Sequence, residues 1–340
     1  MTRALAVLCV RNEGAFLLDW LAHHCTVGFT DFLVFSNDCD DGTDLMLDRL
    51  QEMGMLTHIR NDRHGDRGPQ WSALRLADGH PLLEAADWVL VLDIDEYVNV
   101  HVGAHRLDDL WAALPDATAI PLTWRMFGNA GVVAYDDQPV TRTFTQAAPS
   151  VLYWPWRAQM FKTLFRNDGS YARLGVHRPR NPDPDRLAEQ GWFDGTGRKL
   201  PAMFHRDRVF SPLGHDNHQL VQLNHYALGS MEGYLLKCDR GRANREGTAF
   251  DMGYWVDRNF CDVEDDTVLA LDAAPERASL AGDSTLSSLH QGAVEWRHRR
   301  FHTLMQDDAW RALFGRLLMT PATRVLSEVE ARKIWQPQGE

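Results

Sequence analysis

Apolar and polar positions alternate in blocks along the first hundred residues. Ala4 to Val10 is a continuous apolar run, the pattern of a strand buried on both faces. Phe16, Leu17, Trp20, Leu21 and His24 then recur at helical spacing, which predicts an amphipathic helix over 14–27 ended by Gly28. Phe32 to Phe35 reads as a second strand, and Leu45, Leu47 and Leu50 as part of a helix closing near Gly54. Leu56 to Arg60 reads as a third strand and 70–86 as a helix. Asp87 to Asp93 is the clearest strand in the chain. Strands alternating with helices in this way predict βαβ units and a mostly parallel sheet.

The pattern becomes less regular after about residue 120. Ile120 to Trp124 and Val140 to Phe144 read as strands. Residues 176–216, with five prolines between Pro179 and Pro212, read as long loops covering a site. From Ser230 onward the pattern is mainly helical, with a further helical stretch over 296–318. No internal repeat or low-complexity tract interrupts the 340 residues.

Composition narrows the class. Hydrophobic residues are 44% and charged ones 24%, ordinary globular usage. The net charge of −12 disfavours a nucleic-acid partner, which rewards a basic surface. The five cysteines, Cys9, Cys25, Cys39, Cys238 and Cys261, are odd in number and contain no C-x-x-C pair. That spacing argues against a disulfide framework or a structural zinc site and predicts a reducing, cytoplasmic setting. Arg11, Asn12 and Glu13 interrupt the first apolar run, so it reads as a strand rather than a leader. No stretch approaches the roughly 20 apolar residues of a membrane span, although peripheral membrane contact is compatible with the sequence. The oligomeric state is not legible.

In open α/β sheets ligands gather beyond the carboxyl ends of the strands. Three polar clusters fall there: Arg11-Asn12-Glu13, Asn37-Asp38 and Asp93-Asp95. Asp93 and Asp95 are two apart at a strand end, so their carboxylates leave one face and could share a hard divalent cation such as Mg²⁺ or Mn²⁺, or merely solvate the strand end. Such an ion would let an acidic chain hold a diphosphate. Asp41 and Thr43 read equally well as helix-capping residues. No glycine-rich phosphate loop follows the first strand.

Val10-Arg-Asn-Glu13 with Leu18-Asp-Trp-Leu21, then Ser36-Asn-Asp-Cys-Asp-Asp-Gly-Thr43, then Leu92-Asp-Ile-Asp-Glu-Tyr97, resembles the family 2-type glycosyltransferases, and within them a branch reading R-N-E, E-W-L and L-D-x-D-E-F. Phe127-Gly-Asn129, Phe161-Lys-Thr163, Val176-His-Arg-Pro179, Asn224-His-Tyr226 and Lys237-Cys-Asp-Arg-Gly241 are similar to that branch too. The likeness covers roughly residues 5–265.

The resemblance implies a GT-A type α/β fold, a Rossmann-like mixed central sheet flanked by helices with a helical C-terminal extension. Residues 1–228 would form the glycosyltransferase domain, with 1–125 as nucleotide-sugar donor half and 126–228 as acceptor half, and 229–340 would be the helical C-terminal region. It further implies a metal-dependent transferase, inverting and of hexosyltransferase type, that moves a sugar from a nucleotide-sugar donor to a saccharide or lipid-linked acceptor in polysaccharide biosynthesis. Asn12, Glu13 and Asp38 would contact the nucleoside, Asp93 ribose or metal, and Asp95 the metal, with His225 completing its shell; a structural histidine is the alternative. Ser230 can cap a helix that aligns Lys237, Arg240, Gly241 and Asn244 over the diphosphate. An inverting transfer needs a carboxylate base. Asp207, Asp216, Glu232 and Asp265 are candidates, and Glu232 is preferred because it follows His225 closely. A helix N-terminal carboxylate is the competing explanation. One or two of Trp124, Trp154, Trp156 and Trp192 are expected in the acceptor cleft. A phosphohydrolase or nucleotidyltransferase using the same carboxylates, and a non-catalytic carbohydrate-binding protein, are the alternatives.

Overall fold

The computed structural model describes residues 2–63, 65, 68–241 and 251–335. The elements run β1 (Ala4–Val10), α1 (Gly14–Val27), β2 (Asp31–Ser36), α2 (Thr43–Glu52), β3 (Thr57–Arg60), α3 (Pro69–Ala77), α4 (Pro81–Ala85), β4 (Trp88–Leu92), β5 (Glu96–Val100), α5 (Leu107–Ala113), β6 (Ala119–Met126), α6 (Val140–Thr143) and β7 (Gln146–Ala147). They continue with β8 (Phe161–Arg166), β9 (Tyr171–Arg173), β10 (Arg180–Pro182), β11 (Val221–His225), α7 (Met231–Arg240), α8 (Met252–Val256), β12 (Val263–Glu264), α9 (Ala274–Ala281), α10 (Ser284–Leu304), α11 (Asp308–Met319) and α12 (Glu328–Trp335).

Eight strands form one sheet in the order β3-β2-β1-β4-β8-β6-β11-β5. β3, β2, β1 and β4 are parallel, as the βαβ pattern predicts. β8 runs antiparallel to both β4 and β6, β11 runs parallel to β6, and β5 runs antiparallel to β11. The carboxyl ends of β1, β2, β4, β6 and β11 therefore lie along one edge, where β5 and β8 begin. A mixed central sheet flanked by helices, with a helical C-terminal region, is the expected fold class.

Alternation in β1 divides the core. Ala4, Ala6, Leu8 and Val10 pack on the face covered by α1 and α2, together with Leu17, Trp20 and Leu47. Leu5 and Val7 pack on the opposite face with Phe35, Val91, Phe161 and Trp192. The first cluster continues into Leu286 and Ala293 of α10. Ion pairs fasten the same junction, Arg277 Nε to Asp19 Oδ1 at 2.5 Å and Arg49 Nη2 to Asp283 Oδ2 at 2.6 Å.

Three sequence expectations change. The helix expected over 70–86 is two helices, broken before Pro81 where the His80 side chain accepts the Leu82 N–H. Val140 to Phe144 is not a strand: Pro139 opens a single helical turn there. β11, Val-Gln-Leu-Asn-His, escapes the pattern because it is buried throughout yet partly polar. Its amides satisfy one another and a neighbour, Gln222 Nε2 donating to Asn224 Oδ1 at 2.7 Å and to Asp265 Oδ2 at 3.0 Å.

Candidate functional site

The turns after β1 and β2 are tightly built. Asn12 and Asp38 both take left-handed backbone angles, φ 53° and 46°, a region that asparagine and aspartate tolerate better than most residues and that clusters at functional sites. The Asn12 side chain accepts the Asp40 N–H at 2.7 Å. Asp41 and Thr43 prove to be structural. Asp41 Oδ2 accepts the Gly14 N–H at 3.0 Å and Thr43 Oγ1 accepts the Glu13 N–H at 2.8 Å, which staples the start of α2 to the start of α1.

Beyond β4 the two aspartates face different cations. Asp93 Oδ2 accepts from Lys162 Nζ at 2.8 Å, and its Oδ1 accepts from Gln70 Nε2 at 3.2 Å. Lys162 is fully buried and also lies 3.3 Å from Glu96. Burial works against its charge, but Asp93 and Glu96 outweigh it and hold the ammonium above its ordinary value. Glu96 is equally buried; loss of hydration dominates and raises its carboxyl, although Lys162 opposes. The Trp124 indole N–H reaches Glu96 Oε1 at 2.6 Å. Glu96, Lys162 and Trp124 thus form a buried polar floor beneath Asp93. The sequence reading passed over this floor, though each of the three lay within a recognised motif or strand.

Asp95 sits 2.6 Å from Lys237 Nζ and 3.8 Å from His225 Nε2. Burial disfavours its charge, yet Lys237 and His225 together keep the carboxyl well below the usual range. His225 ends β11, stacks on Trp124 with ring centroids 4.3 Å apart, and has a buried Nδ1 without a partner. Burial lowers its basicity, partly offset by Asp95.

Helix α7 supplies the opposite wall. Ser230 caps it as expected, accepting the Gly233 N–H at 3.0 Å. Arg240 ion-pairs with Glu13 and donates to the Arg11 carbonyl at 3.1 Å. Asn244 lies outside the described residues. The resulting cleft, about 600 Å³, is lined by Glu13, Asp38, Asp93, Asp95, His225, Lys237 and Arg240, along with Gln70, His177, Tyr254 and Arg258. That volume and mixture of polar and aromatic walls suit a small-molecule ligand. Of the four tryptophans, Trp124 and Trp156 line it. Trp192 is core, donating to the Tyr171 hydroxyl under the Arg178 guanidinium, and Trp154 lies outside the lining. Val176 and Phe210, from the long loop region, also line it.

Asn12 does not line this cleft, and neither does Glu232. Glu232 stands in the first turn of α7, where its carboxylate accepts the Tyr135 N–H at 3.1 Å. That geometry is the helix N-terminal role weighed against a base. Asp207, Asp216 and Asp265 are also outside the lining.

As donor chemistry, two carboxylates and an imidazole suit Mn²⁺ or Mg²⁺. They are not gathered into a shell: among the described residues no group of three or more His, Cys, Asp or Glu side chains is disposed to hold a metal. Instead each aspartate carries a lysine. An ion at Asp95 would have to displace Lys237.

No known family model matches the chain. It is similar to a glycosyltransferase family 92 protein of Oryza sativa subsp. japonica, 23% identical over 145 residues, which cover 40% of this chain and 23% of that protein. A second, from Ricinus communis, is 23% identical over 142 residues, covering 40% of this chain and 25% of the relative. The matched region thus spans about a quarter of these relatives, which carry the family 92 name rather than that of family 2. Partial structural overlaps occur with S. aureus TarS residues 1–349 in complex with UDP (TM-score 0.29, 19% identity, 49% of this chain and 47% of that one). A galactosyltransferase, LgtC, in complex with donor and acceptor sugar analogues also overlaps (TM-score 0.33, 15% identity, 66% of this chain and 87% of that one).

Proposed function

We propose that the chain is a glycosyltransferase that binds a nucleotide-sugar at the carboxyl edge of its sheet and passes the sugar to a saccharide or lipid-linked acceptor. The observation that carries this reading is the convergence of Glu13, Asp38, Asp93, Asp95, His225, Lys237 and Arg240, drawn from five separate stretches of chain, on one cleft. The family 92 names of its relatives support it. Family 2 kinship, GT-A type and the division into donor half (1–125), acceptor half (126–228) and helical region (229–340) belong to the same proposal.

In this reading Asp38 and the turn after β1 receive the nucleoside, and Lys237 and Arg240 stand over the diphosphate. Their paired positive charge balances the negative charge that grows on the leaving group as the glycosidic bond breaks. A divalent cation would supply Lewis-acid assistance at the same phosphates only if Lys237 left Asp95 and Asp93 and His225 closed on the ion. Lys162 and Glu96 fix Asp93 from below, while Trp124 and Trp156 offer aromatic faces to the acceptor. Inversion is part of the proposal, and proton NMR of the product's anomeric coupling reads it. A cytoplasmic setting is proposed too, supported by five cysteines that are all free; among the described residues no helix is long and apolar enough to cross a membrane.

Calorimetry with UDP, with and without Mn²⁺, tests the site. Binding is expected to tighten at least tenfold with Mn²⁺ in the wild type and to lose that gain in Asp95→Ala. Undiminished metal-dependent affinity in the variant would sink the metal assignment, and no UDP affinity under any condition would remove the uridine reading.

A further inference from the structure

Behind the Glu13–Arg240 and Asp95–Lys237 pairs lies a second cavity, about 110 Å³, between α1, the loop 132–138, α7 and α10. By the same measure a single water needs only about 15 Å³. Two buried polar groups end on its walls without partners. Arg297 of α10 is 6% exposed, and its Nε has no hydrogen-bond partner. Its guanidinium lies between the Phe16 and Tyr135 rings at 4.5 and 4.8 Å; the Asp41 carboxylate acts on it from beyond ion-pair distance, and among the described residues no carboxylate forms an ion pair with it. Tyr97 of β5 is 1% exposed, and its hydroxyl is likewise unpartnered. Cation–π contact offsets part of the desolvation of a buried guanidinium but leaves its N–H donors unsatisfied. A buried charge without a counter-ion is strongly disfavoured.

The other charges on the wall are already matched: Glu13 by Arg240, Asp95 by Lys237, and Asp239 by Arg300 at 2.7 Å. Asp136 is exposed at the rim. Arg297 is therefore the cation left over. The remaining walls are mixed: Val132, Phe144, Leu236 and Trp296 are apolar, and Asn12, Gln138, Thr143 and Ser230 are polar.

We propose that this cavity, which adjoins the donor cleft across Glu13, Asp95, Lys237 and Arg240, is a binding site for a small monocarboxylate, with the carboxylate on Arg297 and the Tyr97 hydroxyl and an apolar body against Phe144 and Leu236. A dianion suits it poorly, because Glu13, Asp95 and Asp136 share its walls. Entry runs past the exposed loop residues Ala134 and Asp136, so binding requires neither nucleotide nor turnover.

Sodium butyrate is the probe, with butanol as its neutral counterpart and sulfate as the dianion, read by calorimetry on the full chain without nucleotide. Butyrate is expected to bind one to one and butanol not measurably at tenfold higher concentration. Loss of a charge-assisted contact should weaken butyrate about 10- to 100-fold in Arg297→Met, and loss of the hydroxyl about 3- to 10-fold in Tyr97→Phe. Because Arg297→Met could perturb folding, Ala134→Trp, an exposed loop substitution at the mouth, is expected to block butyrate in a protein with unchanged circular dichroism. Absence of butyrate binding to the wild type, equal affinity for sulfate or butanol, or affinity unchanged in Arg297→Met and Ala134→Trp would each overturn the assignment.

Discussion

At the scale of single residues, the site rests on charges that the fold keeps in pairs. Asp93 and Asp95 were legible because a D-x-D at the end of the most apolar strand stands out. Lys237 was expected over the diphosphate, but the pairing of each aspartate with a lysine was not legible, because Lys162 lies 69 residues from Asp93 and Lys237 142 residues from Asp95, and only the fold brings them together. Glu96 was in plain view within Leu92-Asp-Ile-Asp-Glu-Tyr97, yet nothing local reveals that it points inward to Trp124 and Lys162 rather than outward. The Trp124 N–H is therefore a structural donor as well as part of the cleft wall. Replacing it in Trp124→Phe keeps the ring but deprives a fully buried carboxyl of a 2.6 Å bond. The expected loss is about 1–3 kcal/mol, the range for an orphaned buried acceptor. Urea unfolding measures it, and a midpoint within error of the wild type would mean that Lys162 and the Asp93 N–H, which donates to Glu96 Oε2 at 2.8 Å, satisfy Glu96 without it.

At the scale of elements, periodicity located β1, α1, β2, α2, β3 and β4, where burial alternates or fills a face. It failed for β5, β8 and β11, whose polar residues are buried and paired. Several motifs behind the family resemblance turn out to be joints rather than chemistry. In Phe127-Gly-Asn129 the asparagine side chain donates to the carbonyls of Val132 and Gly229, both at 2.8 Å, and its backbone N–H meets Asn259 Oδ1 at 2.8 Å. Gly128 is there because a Cβ would lie 2.3 Å from the Phe260 carbonyl oxygen. Gly128→Ala must push two backbone segments apart, and overpacking of this kind typically destabilises by about 1–3 kcal/mol. A shift of the thermal midpoint of less than a degree would show that the 127–129 and 259–261 segments separate freely. Arg178 of Val176-His-Arg-Pro179 is another joint: it donates to the carbonyls of Phe204 and His205 at 2.8 Å and organises the long loop region.

At the scale of the whole molecule, two histidines on α1 make stability sensitive to acid. Burial pushes His23 down to about 4 and His24 well below its ordinary value, with the His23 Nε2–H donating to the Val98 carbonyl at 2.8 Å. Between pH 6.5 and 4 the unfolded chain takes up a proton that folded His23 refuses, so this contribution to stability falls as pH drops through that window. It amounts to about 3 kcal/mol in full. The raised carboxyl of Glu96 acts with the opposite sign as pH rises, so the comparison must be differential. His23→Gln, which retains a donor toward Val98, should lose stability less steeply than the wild type between pH 6.5 and 4; parallel urea-midpoint curves would refute this. The sequence marked His24 as a member of an apolar stripe but could not tell that the stripe is covered on its far side by α9 and α10. That cover has a consequence in time. Asp19 waits for Arg277, 258 residues further along, which at ordinary synthesis rates is roughly 13–50 s. Through that interval the ribosome carries a nascent sheet whose α1 surface is still bare, and it is sequence far downstream of the sheet's first strands that covers it.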